Sequence, residues 1–445
     1  MEKLTGIIKY DNGFLPFFMN DFVFDFVPLE IHPMQYWLPP ETIQTKNEFI
    51  TGFTHSGHYI AIYVGSDHFR INSTSSIHTC IYITSKNNAS DIWQGGSFDG
   101  ISFFGGCINK IYQSSSMNLD STFKSKDEIK IKVNDTKKEF EFIDSNNRKI
   151  RAFFETNINQ AQDFEKGFFI KEDGQYVNFI FEKQKHLKDV KEILNCVQNI
   201  FSTLLFRREL FFDKIYLTKK NKNGNQIAIA ELHLETKFIT SKKPNNVISI
   251  NDLGIRAAKY FENIWNKRIG SFEYIPKNDS ESIIFHARDV KEICSALEYE
   301  IDNTPRLLIK EKSELNELTT RVKDSVKTYR KSSTCLSTKT YDLIFSNIRN
   351  WSHPLSEQII SLWQKHRKAI TICSNNYGLK LTKKRIESFV KYRNNTSHGD
   401  NASISQDLAN TAIMLECLLY CSILARSGFT KVEIQNICRN RRFLL

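Results

Sequence analysis

Lys391-Tyr392-Arg393-Asn394-Asn395-Thr396-Ser397-His398-Gly399 decides how the C-terminal half of this chain is read. The residues before it have helical spacing: Thr382 stands where a helix cap would, and Ile386, Phe389 and Val390 recur on one face. Three residues on, the apolar stripe meets Arg393, where a helical bundle would take another leucine. A guanidinium on such a stripe is costly to bury alone, and its natural partner is planar and anionic. The pattern breaks at Gly399-Asp400-Asn401, and Ser403-Ile404-Ser405-Gln406 has capping-box spacing for the start of a new helix. His398 therefore falls in the bend, close to backbone N–H groups that favour phosphate. An arginine to hold phosphate and a histidine able to move protons near neutral pH are the minimum equipment for cleaving RNA without a metal.

Around this stretch the sequence is almost wholly helical. Ile283, Ala287, Val290, Cys294 and Leu297 form one stripe; Leu315, Leu318, Val322, Val326 and Tyr329 form the next. A shorter helix is expected from about 341 to 350, and Pro354 opens another that carries Ile359, Trp363, Ile370 and Cys373. After the motif helix comes a nearly continuous apolar run at 405–426, stopped at Gly428. Apolar on all sides, that helix belongs at the centre of the bundle or in a dimer interface.

The front of the chain reads differently. Segments such as His58-Tyr-Ile-Ala-Ile-Tyr-Val64 and Tyr176-Val-Asn-Phe-Ile-Phe181 are β-branched and aromatic, with turn signals such as Asp11-Asn-Gly13 and Glu172-Asp-Gly174 between them. Accessory helices are expected at about 187–204 and 251–267, and Ile275-Pro-Lys-Asn-Asp-Ser280 is the best boundary. The fold class is therefore α+β. A β-rich, sandwich or barrel-like region at 1–275 is followed by an all-α bundle at 276–445.

The chain has 445 residues, enough for two or three cores, and 34 of them are Phe. The formal charge of +11 is unevenly placed: residues 281–445 hold 26 Lys and Arg against 17 Asp and Glu. The basic excess thus travels with Arg393 and His398, which suits a polyanionic partner, although a Lys-rich helical surface also serves solubility. Charges interrupt every apolar run near the N-terminus, the 412–425 stretch contains Glu416, and the nine cysteines make no Cys-x-x-Cys pair. A cytoplasmic protein with free thiols and no membrane contact is expected.

Arg393, Asn394 and His398 match, in order and spacing, the motif of the HEPN superfamily of ribonucleases, which the chain resembles here. The C-terminal region, and more loosely the β-rich front, is similar to the Apea-like HEPN proteins of bacterial anti-phage defence. The resemblance implies a HEPN helical bundle and a metal-independent endoribonuclease. Arg393 would hold the scissile phosphate, His398 would transfer protons and Asn394 would add a positioning hydrogen bond. It also implies a tRNA anticodon loop as substrate and abortive-infection defence released by a phage-derived trigger protein sensed by the front half; attack by the ribose 2′-OH would leave 2′,3′-cyclic phosphate products and favour unpaired loop RNA. No cofactor is expected. A homodimer through the C-terminal bundle is expected on chemical grounds, because proton removal and delivery lie on opposite sides of the phosphate.

Other residues carry weaker signals. Glu298, in Ala296-Leu-Glu-Tyr299, reads either as an acid that orients Arg393 or His398 or as an exposed helix-edge charge. Lys383, Lys384 and Lys391, with Lys365, Arg367, Lys368 and Arg385, flank the motif and could track an RNA backbone, or be solvated surface charges. His366 continues an apolar stripe and reads as a core histidine. His55, His58, His78 and Cys80 could hold zinc only if their strands were neighbours, and mixed strand-and-turn spacing gives poor support, so no metal is expected. The competing reading of the whole is a non-catalytic helical module for RNA or protein binding, with Arg393 in a structural ion pair.

Overall fold

The structure is a computed structural model. It describes residues 3–10, 13–26, 41–44, 48–65, 68–71, 75–88, 96–112, 120–125, 128–132, 137–163, 167–235, 248–268, 272–277, 285–304, 313–332, 336–352, 354–397 and 403–440. The chain divides into two compact units, Met1–Thr240 with Ser249–Asn266 and Ser241–Ile248 with Lys267–Leu445.

The first unit is built on one antiparallel sheet of thirteen strands. Their spatial order is Lys138–Ile143, Lys149–Asp163, Gly167–His186, Ser97–Phe104, Lys214–Lys220, Gln226–Leu234, Ile81–Asn88, His58–Tyr63, Phe49–Thr54, Lys3–Tyr10, Gly13–Asn20, Val23–Phe26 and Ser75–His78. Two further hairpins pair Asp120–Ser125 with Glu128–Lys132 and Glu41–Gln44 with His68–Ile71. The sheet is thus one long antiparallel ladder. It serves two cores. Near one end, Ile8, Phe17, Met19, Phe24, Ile60, Ile62 and Tyr82 cluster. Near the other, two helices cover the sheet.

The helices of this unit are α1 (Ile108–Ile111), α2 (Val190–Leu205), α3 (Ile250–Leu253) and α4 (Ala257–Trp265). Rings fill the space under α2 and α4: Phe261 lies 4.8 Å from Phe140, Trp265 5.8 Å from Phe179, and Phe201 6.4 Å from Phe103. The high Phe content has its physical account here, since stacked and edge-on rings bury large apolar area between sheet and helix. The Tyr260 hydroxyl donates to Thr203 Oγ1 at 3.0 Å and ties α4 to α2. The single helix expected at 251–267 is two. Ser249 and Asp252 form a reciprocal capping box for α3, and Gly254 (φ 51°) then turns the chain before α4.

The second unit holds eight described helices: α5 (Ala287–Asp302), α6 (Ser313–Ser332), α7 (Thr338–Ser352), α8 (Leu355–Lys365), α9 (Arg367–Tyr377), α10 (Lys383–Ser397), α11 (Gln406–Arg426) and α12 (Lys431–Asn440). The chain is therefore α+β, with the large sheet in its N-terminal half and a run of helices in its C-terminal half. The helix expected to run on from Pro354 breaks at His366. There the backbone N–H is shared between the carbonyls of Leu362 and Trp363, and α9 starts afresh. His366 is buried, and burial together with Lys365 and Lys431 pushes its ring down to about 4, so it is neutral near pH 7.

α11 is the spine of the bundle. It starts at Gln406, capped by Ser405 Oγ accepting from Leu408 N–H; the start expected at Ser403 comes two residues later. It ends at Gly428 (φ 86°), with Phe429 N–H donating back to the Leu424 carbonyl. Met414, Leu415, Leu418, Cys421 and Leu424 are fully buried, and α5, α9, α10 and α12 all pack on it. Among the described residues α11 alone is long and apolar enough to cross a membrane, and 67% of that window is buried inside the bundle. The helix lies at the centre of the bundle, one of the two places expected for it.

Where α5 meets α11, Glu300 is 1% exposed, and its Oε2 lies 3.5 Å from Arg426 Nε. Desolvation outweighs the arginine and pushes the carboxyl up to about 7. Its folded value lies above its unfolded one, so its contribution to stability is complete below pH 4.5 and is lost as pH rises through 7. Glu300→Gln mimics the protonated form. In urea denaturation the variant is expected to match wild type at pH 4.5 and exceed it at pH 8 by on the order of 3 kcal/mol. Parallel pH profiles for the two proteins would contradict this account.

Candidate functional site

α10 forms for local reasons. Arg385 N–H donates to Thr382 Oγ1 at 3.3 Å as its cap, and Ile386, Phe389 and Val390 are buried on one face. Arg385 also holds Asp407 at 2.7 Å, which links the start of α10 to the start of α11. Arg393 continues the buried face, as the stripe requires.

The partner of Arg393 is Glu298. Its Oε1 accepts from Arg393 Nη2 at 3.1 Å, with the two side chains 29% and 42% exposed. Arg393 Nη1 also reaches Asn394 Oδ1 at 3.3 Å. Glu298 sits on α5, which packs along α10. The same face of α5 adds Lys291, which sequence reading missed, and Cys294, which it read only as part of the apolar stripe. Lys291 Nζ donates to the Thr396 carbonyl at 3.2 Å, in the last turn of α10. Cys294 lies buried between them, its thiol pushed up to about 12 by burial despite the nearby Arg393. It stays protonated and is a poor nucleophile. Lys291, Cys294 and Glu298 are spaced i, i+3 and i+7, which is the signal that would have found them.

His398 lies outside the described residues, one position past the end of α10. Arg393 and Asn394 are thus brought together with Glu298, at the end of the helix that leads to His398. Lys383, Lys384 and Lys391 are exposed. At 100° per residue, Lys391 and Lys384 lie about 160° and 180° round α10 from Arg393. They face away from the guanidinium, and a polyanion touching them would have to wrap the helix.

The four candidate zinc ligands are scattered. His58 Nδ1 lies 2.8 Å from the Ser85 carbonyl, and His78 Nε2 lies 3.0 Å from Glu235 Oε1. Their strands, His58–Tyr63 and Ser75–His78, are separated in the sheet by four others. His55 lies in the turn before the first of these strands, and Cys80 is exposed. Among the described residues no three His, Cys, Asp or Glu side chains stand together in metal-binding geometry.

Compared with known proteins, the chain matches no family model, no curated protein and no solved structure.

Proposed function

We propose that the helical unit is a metal-independent endoribonuclease of the HEPN type. The observation that carries the reading is Arg393, partly exposed and held by Glu298 at 3.1 Å, five residues before His398. A carboxylate orients the guanidinium, the planar group that recognises phosphate. In this reading Arg393 holds the scissile phosphate and stabilises its developing charge. His398 takes the proton from the ribose 2′-OH or gives one to the leaving 5′-oxygen. Asn394 adds a hydrogen bond. Loop RNA, with a tRNA anticodon loop foremost, is the proposed substrate class, because in-line attack needs a splayed nucleotide. Anti-phage defence, with the β-rich unit sensing a phage-derived trigger, is the proposed context, and two copies supply the two proton-transfer groups.

The same ion pair supports a second reading, in which Arg393 is structural and the bundle only binds RNA or protein. Magnitude separates the two. A half-exposed pair contributes about 1 kcal/mol or less, so losing it should not unfold the bundle. Glu298→Ala is expected to lower the cleavage rate about tenfold through a misplaced Arg393, with Glu298→Gln in between and the melting temperature almost unchanged. Incubating total RNA with the full chain in EDTA tests the proposal: it predicts cleavage, lost in Arg393→Ala and His398→Ala. Intact RNA under all conditions, with retained binding, supports the second reading.

A further inference from the structure

Four of the nine cysteines meet inside the helical unit, where α9, α11 and α12 pack on one another. Cys373 comes from α9, Cys417 and Cys421 from successive turns of α11, and Cys438 from α12. Each is at most 1% exposed. Cys421 Sγ lies 3.9 Å from Cys438 Sγ, so the two sulfurs touch across the α11–α12 contact. Asn376 Nδ2 donates to the Cys438 carbonyl at 2.8 Å and fixes that end of α12 against α9. Cys373 lies beside both Cys417 and Cys438. Their S–H groups donate to its thiolate and hold it below the usual thiol range, while the two donors are pushed up. The contacts thus run as a chain, Cys417 to Cys373 to Cys438 to Cys421, and the set does not stand in metal-binding geometry.

One buried thiol is a small apolar filler. Two sulfurs in contact across a pair of helices, with a third beside them that ionises readily, are the equipment for disulfide exchange. We propose that this junction is an oxidation site, at which hydrogen peroxide closes a disulfide between Cys421 and Cys438 and ties α12 to α11. The Cys373 thiolate attacks the O–O bond, keeps one oxygen as a sulfenic acid, and releases hydroxide, which takes up the proton Cys373 had lost and leaves as water. Cys438 attacks that sulfur and expels a second water, giving a Cys373–Cys438 disulfide. Cys421, 3.9 Å from Cys438, then displaces Cys373, the best leaving group of the set because its thiolate is the most stabilised. Two thiols and one peroxide have become one disulfide and two waters. Because the sulfurs are buried, peroxide reaches them when α12 lifts locally from the bundle, and the cross-link then removes that motion.

The inference does not depend on ribonuclease activity. Full-length protein is treated with hydrogen peroxide under native conditions, remaining thiols are alkylated, and unreduced peptides are read by mass spectrometry. A cross-link between Cys421 and Cys438 is expected, undone by dithiothreitol and absent from Cys438→Ala. On oxidation of the wild type, amide exchange within 431–440 is expected to slow at least about tenfold with the circular dichroism unchanged. Cys373→Ser, nearly the same size and without the nucleophilic sulfur, is expected to slow formation of the cross-link about tenfold. Thiols of the junction that stay reduced while the exposed Cys80 is oxidised overturn the inference. So does a cross-link that forms only in urea, a different final pairing, unchanged exchange in α12, or a folded Cys373→Ser that oxidises as fast as wild type.

Discussion

His398→Ala and Arg393→Ala are each expected to abolish RNA cleavage and to leave the helical unit folded. For His398 the loss is that of general acid–base catalysis, about 10²- to 10⁴-fold, larger if both proton transfers use this histidine from two copies. For Arg393 it is loss of charge stabilisation at the phosphate, about 10²- to 10³-fold. Neither change should cost much stability. Arg393 is partly exposed in its pair with Glu298. Far-ultraviolet circular dichroism and thermal melting beside the cleavage assay separate the two effects. Unfolding of Arg393→Ala would turn the argument toward a structural ion pair. Wild-type rates in either variant would remove that residue from the mechanism.

Leu418→Ala has the largest expected effect on stability. Leu418 is fully buried in α11, in the stretch on which four other helices converge. Truncation removes its transfer free energy and leaves a cavity, at a cost of about 2–5 kcal/mol. Leu408, on the first turn of the same helix, is only partly buried, and Leu408→Ala should cost about 1 kcal/mol or less. Urea denaturation of the two variants checks the gradient. Equal, small losses at both positions would mean that α11 faces a partner rather than the core.

That gradient shows what periodicity can and cannot tell. The pattern from Thr382 to Val390 predicted α10 and its cap, because a cap and an apolar stripe are local properties. It also marked Arg393 as a residue needing an anion. Glu298 was legible as a candidate, since it lay on a neighbouring helix of the bundle, but the 3.1 Å pairing needed the packing of α5 on α10. Lys291 escaped notice because a lysine donating to a backbone carbonyl leaves no mark in composition. Two helices were read too long. Nothing but the φ of Gly254 and the backbone at His366 divides them, and apolar spacing runs through both breaks. The all-round apolar character of α11 fitted either a core or an interface, and only its neighbours decide between them. In the front unit some strands were legible one by one, such as those at 58–64 and 176–181. Their order was not, because pairing Gly167–His186 with Ser97–Phe104 joins residues far apart in sequence.

The most direct test of the ribonuclease reading is the chemistry of the cut ends. In that reading the nucleophile is the neighbouring ribose 2′-OH, already within reach of the phosphorus. RNA cut by the full-length protein in EDTA is predicted to carry 2′,3′-cyclic phosphate and 5′-hydroxyl ends. A single 2′-deoxy sugar at the cut site should leave the strand bound but whole. Ends bearing a 3′-hydroxyl, or cleavage that returns only with added Mg²⁺, would contradict the mechanism even if Arg393 and His398 both proved essential.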